Sequence, residues 1–186
     1  MKEKYSASEV VEMIKPSEEN KKREIWNLVD GEGRRTGVLY ERHSGEPIPE
    51  GLRFSVVEVW VRIGNRVIAT RRHPDKWAGL CWEVTGGGVL ATECERQAAV
   101  RELYEETGVL AKPDELLHLG RIIKEKVMID SYLLTLEKLP TLTLQACEVV
   151  DSAFLTREEM EALRPRLTKG TAERLTLYGD AVFGKE

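Results

Sequence analysis

The chain has 186 residues, of which 32% are charged and 41% apolar, and a net charge of −4. That length fits one domain with a sizeable core, while the mildly acidic balance argues against a duplex nucleic acid as partner, since Lys21-Lys22-Arg23 sits beside Glu18, Glu19 and Glu24. No apolar run approaches the roughly 20 residues needed to span a bilayer, and the start Met-Lys-Glu-Lys-Tyr lacks a signal-peptide core, so a cytoplasmic protein with no membrane association is expected.

Ser6-Ala-Ser-Glu9 is a capping-box pattern ahead of Val10, Val11 and Ile14, which predicts a short helix before Pro16 and marks residues 1–23 as an appendage to a domain over 24–186. Ile25 to Val29 and Thr36 to Tyr40 read as strands around the turn-rich Asp30-Gly-Glu-Gly33, and a proline-bearing loop follows at 44–51. Phe54 to Ile63 has strand composition, and Gly64-Asn65 joins it tightly to Arg66 to Thr70. After a loop at 73–80, Cys81 to Thr85 is a predicted strand, Gly86-Gly87-Gly88 a turn, and Thr92-x-x-Glu95 a capping box opening a helix that Gly108 ends. Strands are expected at Leu117 to Ile123, Ser131 to Leu136 and Val149 to Leu155, and helices at Thr156 to Leu163, with Thr156-x-x-Glu159 as cap, and near Thr171 to Tyr178. Strands and helices alternating irregularly suggest a mixed sheet covered on both sides. Cys81, Cys94 and Cys147, odd in number and without a Cys-x-x-Cys pair, suggest neither disulfides nor a zinc site but small reduced residues in or near the core.

The chemistry concentrates in residues 87–109. Glu102, Glu105 and Glu106 stand at i, i+3 and i+4, so their side chains rise from one helix face. Like charges so placed cost a helix roughly 0.2–0.5 kcal/mol per pair, a penalty that a divalent cation turns into attraction. Arg101, one turn before Glu105, offsets part of the repulsion. Ala99, Val100 and Leu103 cluster on the adjacent face, so one side of the helix can bury while the carboxylates face a cleft. The carbonyl of Gly86 or Gly87 is a further candidate ligand, because backbone without side chains can approach an ion closely. Arg71 and Arg72, just before this segment, are candidates for binding phosphate. Trp77, in a loop, is a candidate ligand contact, whereas Trp60 and Trp82, on strands, read as core.

Gly87, Glu93, Arg101-Glu102-Leu103, Glu105-Glu106 and Gly108-Val109, at these spacings, resemble the Nudix box of the Nudix hydrolases at every fixed position. The resemblance implies an α/β/α sandwich, hydrolysis of a diphosphate linkage in a small molecule, and Mg2+, or Mn2+ in its place, as cofactor. It implies Glu102 and Glu106 as metal ligands, with Glu105 a third ligand or a group that orients water. A general base outside the box is used in some of these enzymes, and Glu148 or Glu125 could take that role. Glu24-Ile-Trp-Asn-Leu-Val-Asp30, Thr36-Gly37, Pro49-Glu-Gly51 and Thr70-Arg-Arg72 resemble, more weakly, a subgroup related to isopentenyl-diphosphate isomerase. Isomerisation in that subgroup needs a cysteine before the turn and metal-binding histidines; here Thr85-Gly-Gly-Gly-Val89 has no cysteine and Leu52-Arg-Phe54 no histidine, while His43 and His73 fall in predicted loops. A noncatalytic nucleotide-binding module is a second rival, opposed by the intact carboxylates. A homodimer is among the arrangements left open.

Overall fold

The structure, a computed structural model, describes residues 23–184. The helix expected from Ser6 lies outside this range.

The chain opens with an antiparallel ribbon of β1 (Ile25–Val29) and β2 (Arg35–Glu41). Its turn is organised by Asp30, whose Oδ1 accepts the amides of Glu32 and Arg34 at 2.8 and 3.0 Å. The main sheet has seven strands: β3 (Phe54–Ile63), β4 (Arg66–Arg72), β5 (Trp82–Glu83), β6 (Thr85–Gly88), β7 (Leu117–Ile123), β8 (Val127–Leu136) and β9 (Val149–Leu155). The order is β5-β4-β3-β8-β7, with β6 on β3 and β9 on β4. β3 runs parallel to β8, and its remaining pairings are antiparallel, which makes the sheet mixed.

Successive side chains of a strand point to opposite faces, and β3 uses both. Val57, Val59 and Val61 join a core beneath helix α1 (Glu95–Thr107) that includes Ala98, Ala99, Val100 and Leu103. Trp60 joins the opposite core with Met160, Leu175 and Val182, from α2 (Arg157–Ala162) and α3 (Lys169–Phe183). Helices therefore cover both faces, as an α/β/α sandwich requires. Thr156 caps α2 with Glu159 answering, as its spacing predicts, and α3 is longer than expected. Among the described residues no helix is long and apolar enough to cross a membrane.

Three local expectations are corrected. Gly86, Gly87 and Gly88 are not a turn but the body of β6, opposite Glu58, Val57 and Val56 of β3; backbone pairing holds them where propensity would not. Helix α1 is capped by Cys94 rather than Thr92: the Cys94 amide donates to Gln97 Oε1 at 2.8 Å. Strand β8 begins four residues before Ser131, at Val127.

Candidate active site

Helix α1 lies against β6 and β3, and a cleft of about 690 Å3 opens beside it. The apolar positions of α1 are fully buried, and Gly108 ends the helix at φ +74°, with its amide donating to the Tyr104 carbonyl at 2.8 Å. With that face fixed, Glu102, Glu105 and Glu106 are delivered to the cleft wall.

Arg101 holds this wall together. Its Nε and Nη2 donate to the two oxygens of Glu93 at 3.0 and 2.6 Å, and Nη2 also reaches the Gly88 carbonyl at 2.9 Å. Nη1 donates to Glu102 at 2.8 Å and Glu105 at 3.0 Å. All the donor directions of one guanidinium are thereby used, tying the strand, the loop before the helix and two carboxylates. Burial disfavours the Arg101 charge, but Glu102, Glu93 and Glu105 hold the guanidinium protonated above its ordinary range. Glu93 also accepts the Leu90 amide at 2.9 Å, which explains a carboxylate at this position of the box.

Glu106 is buried, and its Oε2 has no hydrogen-bond partner. Burial raises its carboxyl well above the ordinary value, and Glu102 and Glu83 add to the rise; Lys76 and the Gly86 amide pull the other way. Burial likewise raises Glu102, against the pull of Arg101. Glu102 packs directly on Gly87, where a Cβ would stand 2.2 Å from its carboxyl carbon. An orphaned anionic oxygen, a second carboxylate beside it and a strand of bare backbone suit a hard cation. Among the described residues no three acidic, histidine or cysteine side chains already form a metal cluster. Arg101 engages Glu102 and Glu105, so the donors fit an ion that keeps waters and takes substrate oxygens, as magnesium does.

Further lining comes from β4 and the loop after it. Arg72 lines the cleft, with Nε donating to the Trp77 carbonyl at 2.8 Å and Nη1 to Glu83. Arg71, the neighbouring candidate, does not line it; its Nε donates to the Leu80 carbonyl at 3.2 Å. The alternation of side chains along β4 separates the pair. Trp77, 74% exposed, stands at the mouth, while Trp60 and Trp82 are core as expected. Lys76 and Glu148 both line the cleft and form an ion pair; Glu125 does not line it. Burial lowers the Lys76 ammonium from its ordinary value, an effect that Glu106 opposes and Arg72 reinforces. Lys76 and Glu83 were not foreseen: one sits in a loop, the other in a strand of two residues. All three cysteines are free, but Cys94 and Cys147 are exposed rather than near the core, and none lines the cleft.

The fold is an α/β/α sandwich with a mixed sheet, and a carboxylate helix and a glycine strand line its cleft. The family model of the NUDIX domain matches residues 28–178, and the chain belongs to the Nudix hydrolase family. It is 32% identical over 146 residues to an uncharacterized Nudix hydrolase of Listeria monocytogenes, covering 76% of this chain and 85% of that one. A Bacillus subtilis protein provisionally named an 8-oxo-dGTP diphosphatase is 38% identical over 85 residues, 44% of this chain and 51% of that protein. Among solved structures, DR0079 from Deinococcus radiodurans matches with a TM-score of 0.69 at 22% identity, covering 82% of this chain and 98% of that one. A bifunctional NMN adenylyltransferase/ADP-ribose pyrophosphatase from Francisella tularensis, complexed with AMP and a manganese ion, matches with a TM-score of 0.60 at 16% identity, over 70% of this chain and 42% of that one.

Proposed function

We propose that the enzyme is a magnesium-dependent pyrophosphohydrolase that cleaves a diphosphate linkage in a nucleoside diphosphate-linked or related small metabolite. The observation that carries this reading is the orphaned Glu106 oxygen beside Glu102, in a cleft also lined by Arg72 and Lys76. Glu102 and Glu106 would hold the cation, with backbone of Gly86 as a further ligand. When bound, the cation supplies charge neutralisation and acidifies water. Arg72, braced by Glu83, and Lys76 bind and orient the phosphate oxygens. Glu105 is assigned to orient the attacking water and take its proton, and Glu148, which lines the cleft beside Lys76, is the candidate base outside the box. The nucleotide-linked names of the Bacillus and Francisella proteins support a substrate of this class. The absence of any cysteine among the described residues lining the cleft speaks against isomerase chemistry.

The test is hydrolysis in heavy-oxygen water, with Mg2+ and Mn2+ compared, across nucleoside triphosphates, dinucleotides, nucleotide sugars, coenzyme A and prenyl diphosphates. At least one substrate should give a product with solvent oxygen on phosphorus. Isopentenyl diphosphate isomerised with solvent deuterium on carbon, and no phosphorus labelling anywhere, would sink the proposal.

A further inference from the structure

Besides Glu106 Oε2, two other buried side-chain atoms without a hydrogen-bond partner belong to residues lining the cleft: Trp26 Nε1 and Arg174 Nη1. Both are donors. They border the part of the cleft floored by Val56, Val127 and Ile129, where Trp26 stacks on Phe54 at 4.8 Å between ring centroids.

Arg174 is built into its position. Its Nε donates to Glu58 Oε2, while Glu58 Oε1 accepts Ser131 Oγ at 2.7 Å and Trp60 Nε1 at 3.2 Å. Glu58 thus holds the guanidinium through Nε alone, and no hydrogen bond from Nη1 reaches it. Gly170, one turn earlier on α3, makes room: a Cβ there would lie 2.3 Å from Arg174 Nη2. Nη1 stands 3.6 Å from Glu173 Oε2, beyond hydrogen-bond reach, and that oxygen is engaged by Lys124. A buried cation with an unanswered donor is costly unless something else supplies the acceptor.

We propose that Arg174, oriented by Glu58, is a specificity-determining residue that donates hydrogen bonds to a carbonyl oxygen or ring nitrogen of a nucleobase seated on the apolar floor. The inference rests on the diphosphate hydrolase reading, because it concerns the part of the substrate remote from the cleaved bond. Charge favours a neutral acceptor over a second phosphate: Glu58 balances Arg174 and Glu173 balances Lys124, so this wall offers donors without net charge. Trp26 Nε1, packed over Gly88, is a second unpartnered donor among the residues that line the cleft.

Binding of AMP, GMP, CMP, UMP and ribose 5-phosphate would be measured by calorimetry with magnesium present. At least one nucleotide should bind wild-type protein about tenfold or more tightly than ribose 5-phosphate. Arg174→Lys keeps a cation beside Glu58 but loses the outer guanidinium donors; it should erase about tenfold of that advantage, the size of one charge-assisted hydrogen bond, and leave ribose 5-phosphate affinity within about twofold. With the substrate found in the labelling assay, KM should rise more than kcat falls. Glu58→Gln should show the same pattern more weakly. If Arg174→Lys does not fold, the doubly neutral Glu58→Gln/Arg174→Gln variant, which leaves no unpaired buried charge, should show the same loss. Nucleotides that bind wild-type protein no better than ribose 5-phosphate overturn the inference, as does a base preference that survives loss of Arg174. Base discrimination in a protein that labels no phosphorus would leave this inference standing and bring down the hydrolase reading instead.

Discussion

Glu106 carries its carboxyl group where no protein donor reaches Oε2, and Glu102 and Glu83 repel its charge. Such a group costs stability in the metal-free protein, and under the proposed function a bound cation turns that cost into a gain. Glu106→Gln should therefore melt at the same temperature as wild type or higher without metal. It should also lose the stabilisation that magnesium gives wild type, about 2.7 kcal/mol at a metal concentration 100 times Kd, and most of its turnover. Calorimetric scans with and without magnesium, read beside the labelling assay, check both halves; an undiminished metal response would remove Glu106 from the ligand set. Arg101 poses the converse case. Its planar fork serves Glu93, Glu102, Glu105 and the Gly88 carbonyl at once, and a lysine offers a single point with fewer donors. Arg101→Lys should cost on the order of 2–4 kcal/mol, because carboxylates are left buried with incomplete partners. Chemical denaturation measures this, and a loss below about 0.5 kcal/mol would show that the surrounding carboxylates do not depend on the fork.

At the scale of elements, β6 is the least expected feature and the easiest to test. Its glycines are required for two different reasons. A Cβ on Gly86 would stand 2.3 Å from the Val57 carbonyl oxygen, whereas one on Gly87 would meet the Glu102 carboxylate. Gly86→Ala should therefore lower the melting temperature by several degrees, since backbone must move. Gly87→Ala should keep most of the stability and lose metal response and turnover, since the proposed ligand Glu102 must move. Equal effects on both properties in both variants would refute that division. The sequence allowed the helix, its carboxylates, the ribbon and the Gly64-Asn65 hairpin to be read, because spacing and turn chemistry act locally. It hid β6, because three glycines have no strand propensity and only pairing with β3 extends them. It hid which of Arg71 and Arg72 faces the cleft, since a shift of one residue in register reverses the answer. It hid Arg174 as well, although an acid inside Val56-Val57-Glu58-Val59-Trp60 signals a buried charge in need of a partner; that partner lies 116 residues away. The turn of the β1–β2 ribbon has its own signature. The amide and guanidinium of Arg34 lower the Asp30 carboxyl to about 2. A folded-state value below the unfolded one adds stability that is full above about pH 4 and is lost as pH falls toward 2. The difference in melting temperature between wild type and Asp30→Asn should shrink over that window, and a constant difference would deny the carboxylate its role.

Across the whole molecule, the active-site cleft depends on both layers of the sandwich. The carboxylates stand on α1, over one core, and Arg174 stands on α3, over the other, while β3 contributes Val57, Val59 and Val61 to the first and Trp60 to the second. A strand shared in this way couples the two cores, so neither should melt alone and unfolding should be a single transition. Leu103 is fully buried on the core face of α1, and truncation to Ala should cost about 2–5 kcal/mol. In a Trp26→Phe/Trp77→Phe background the remaining tryptophans, Trp60 and Trp82, lie in the opposite core and give a local probe on the other face of the sheet. If β3 transmits the damage, Leu103→Ala should move the denaturation midpoint seen by tryptophan fluorescence as far as the midpoint seen by far-ultraviolet circular dichroism. Leu175→Ala, in the second core, should do the same. A fluorescence midpoint that stays at the wild-type value in Leu103→Ala while circular dichroism shifts would mean two independent units, and a substrate clamped between α1 and α3 would then be held by parts that can open separately.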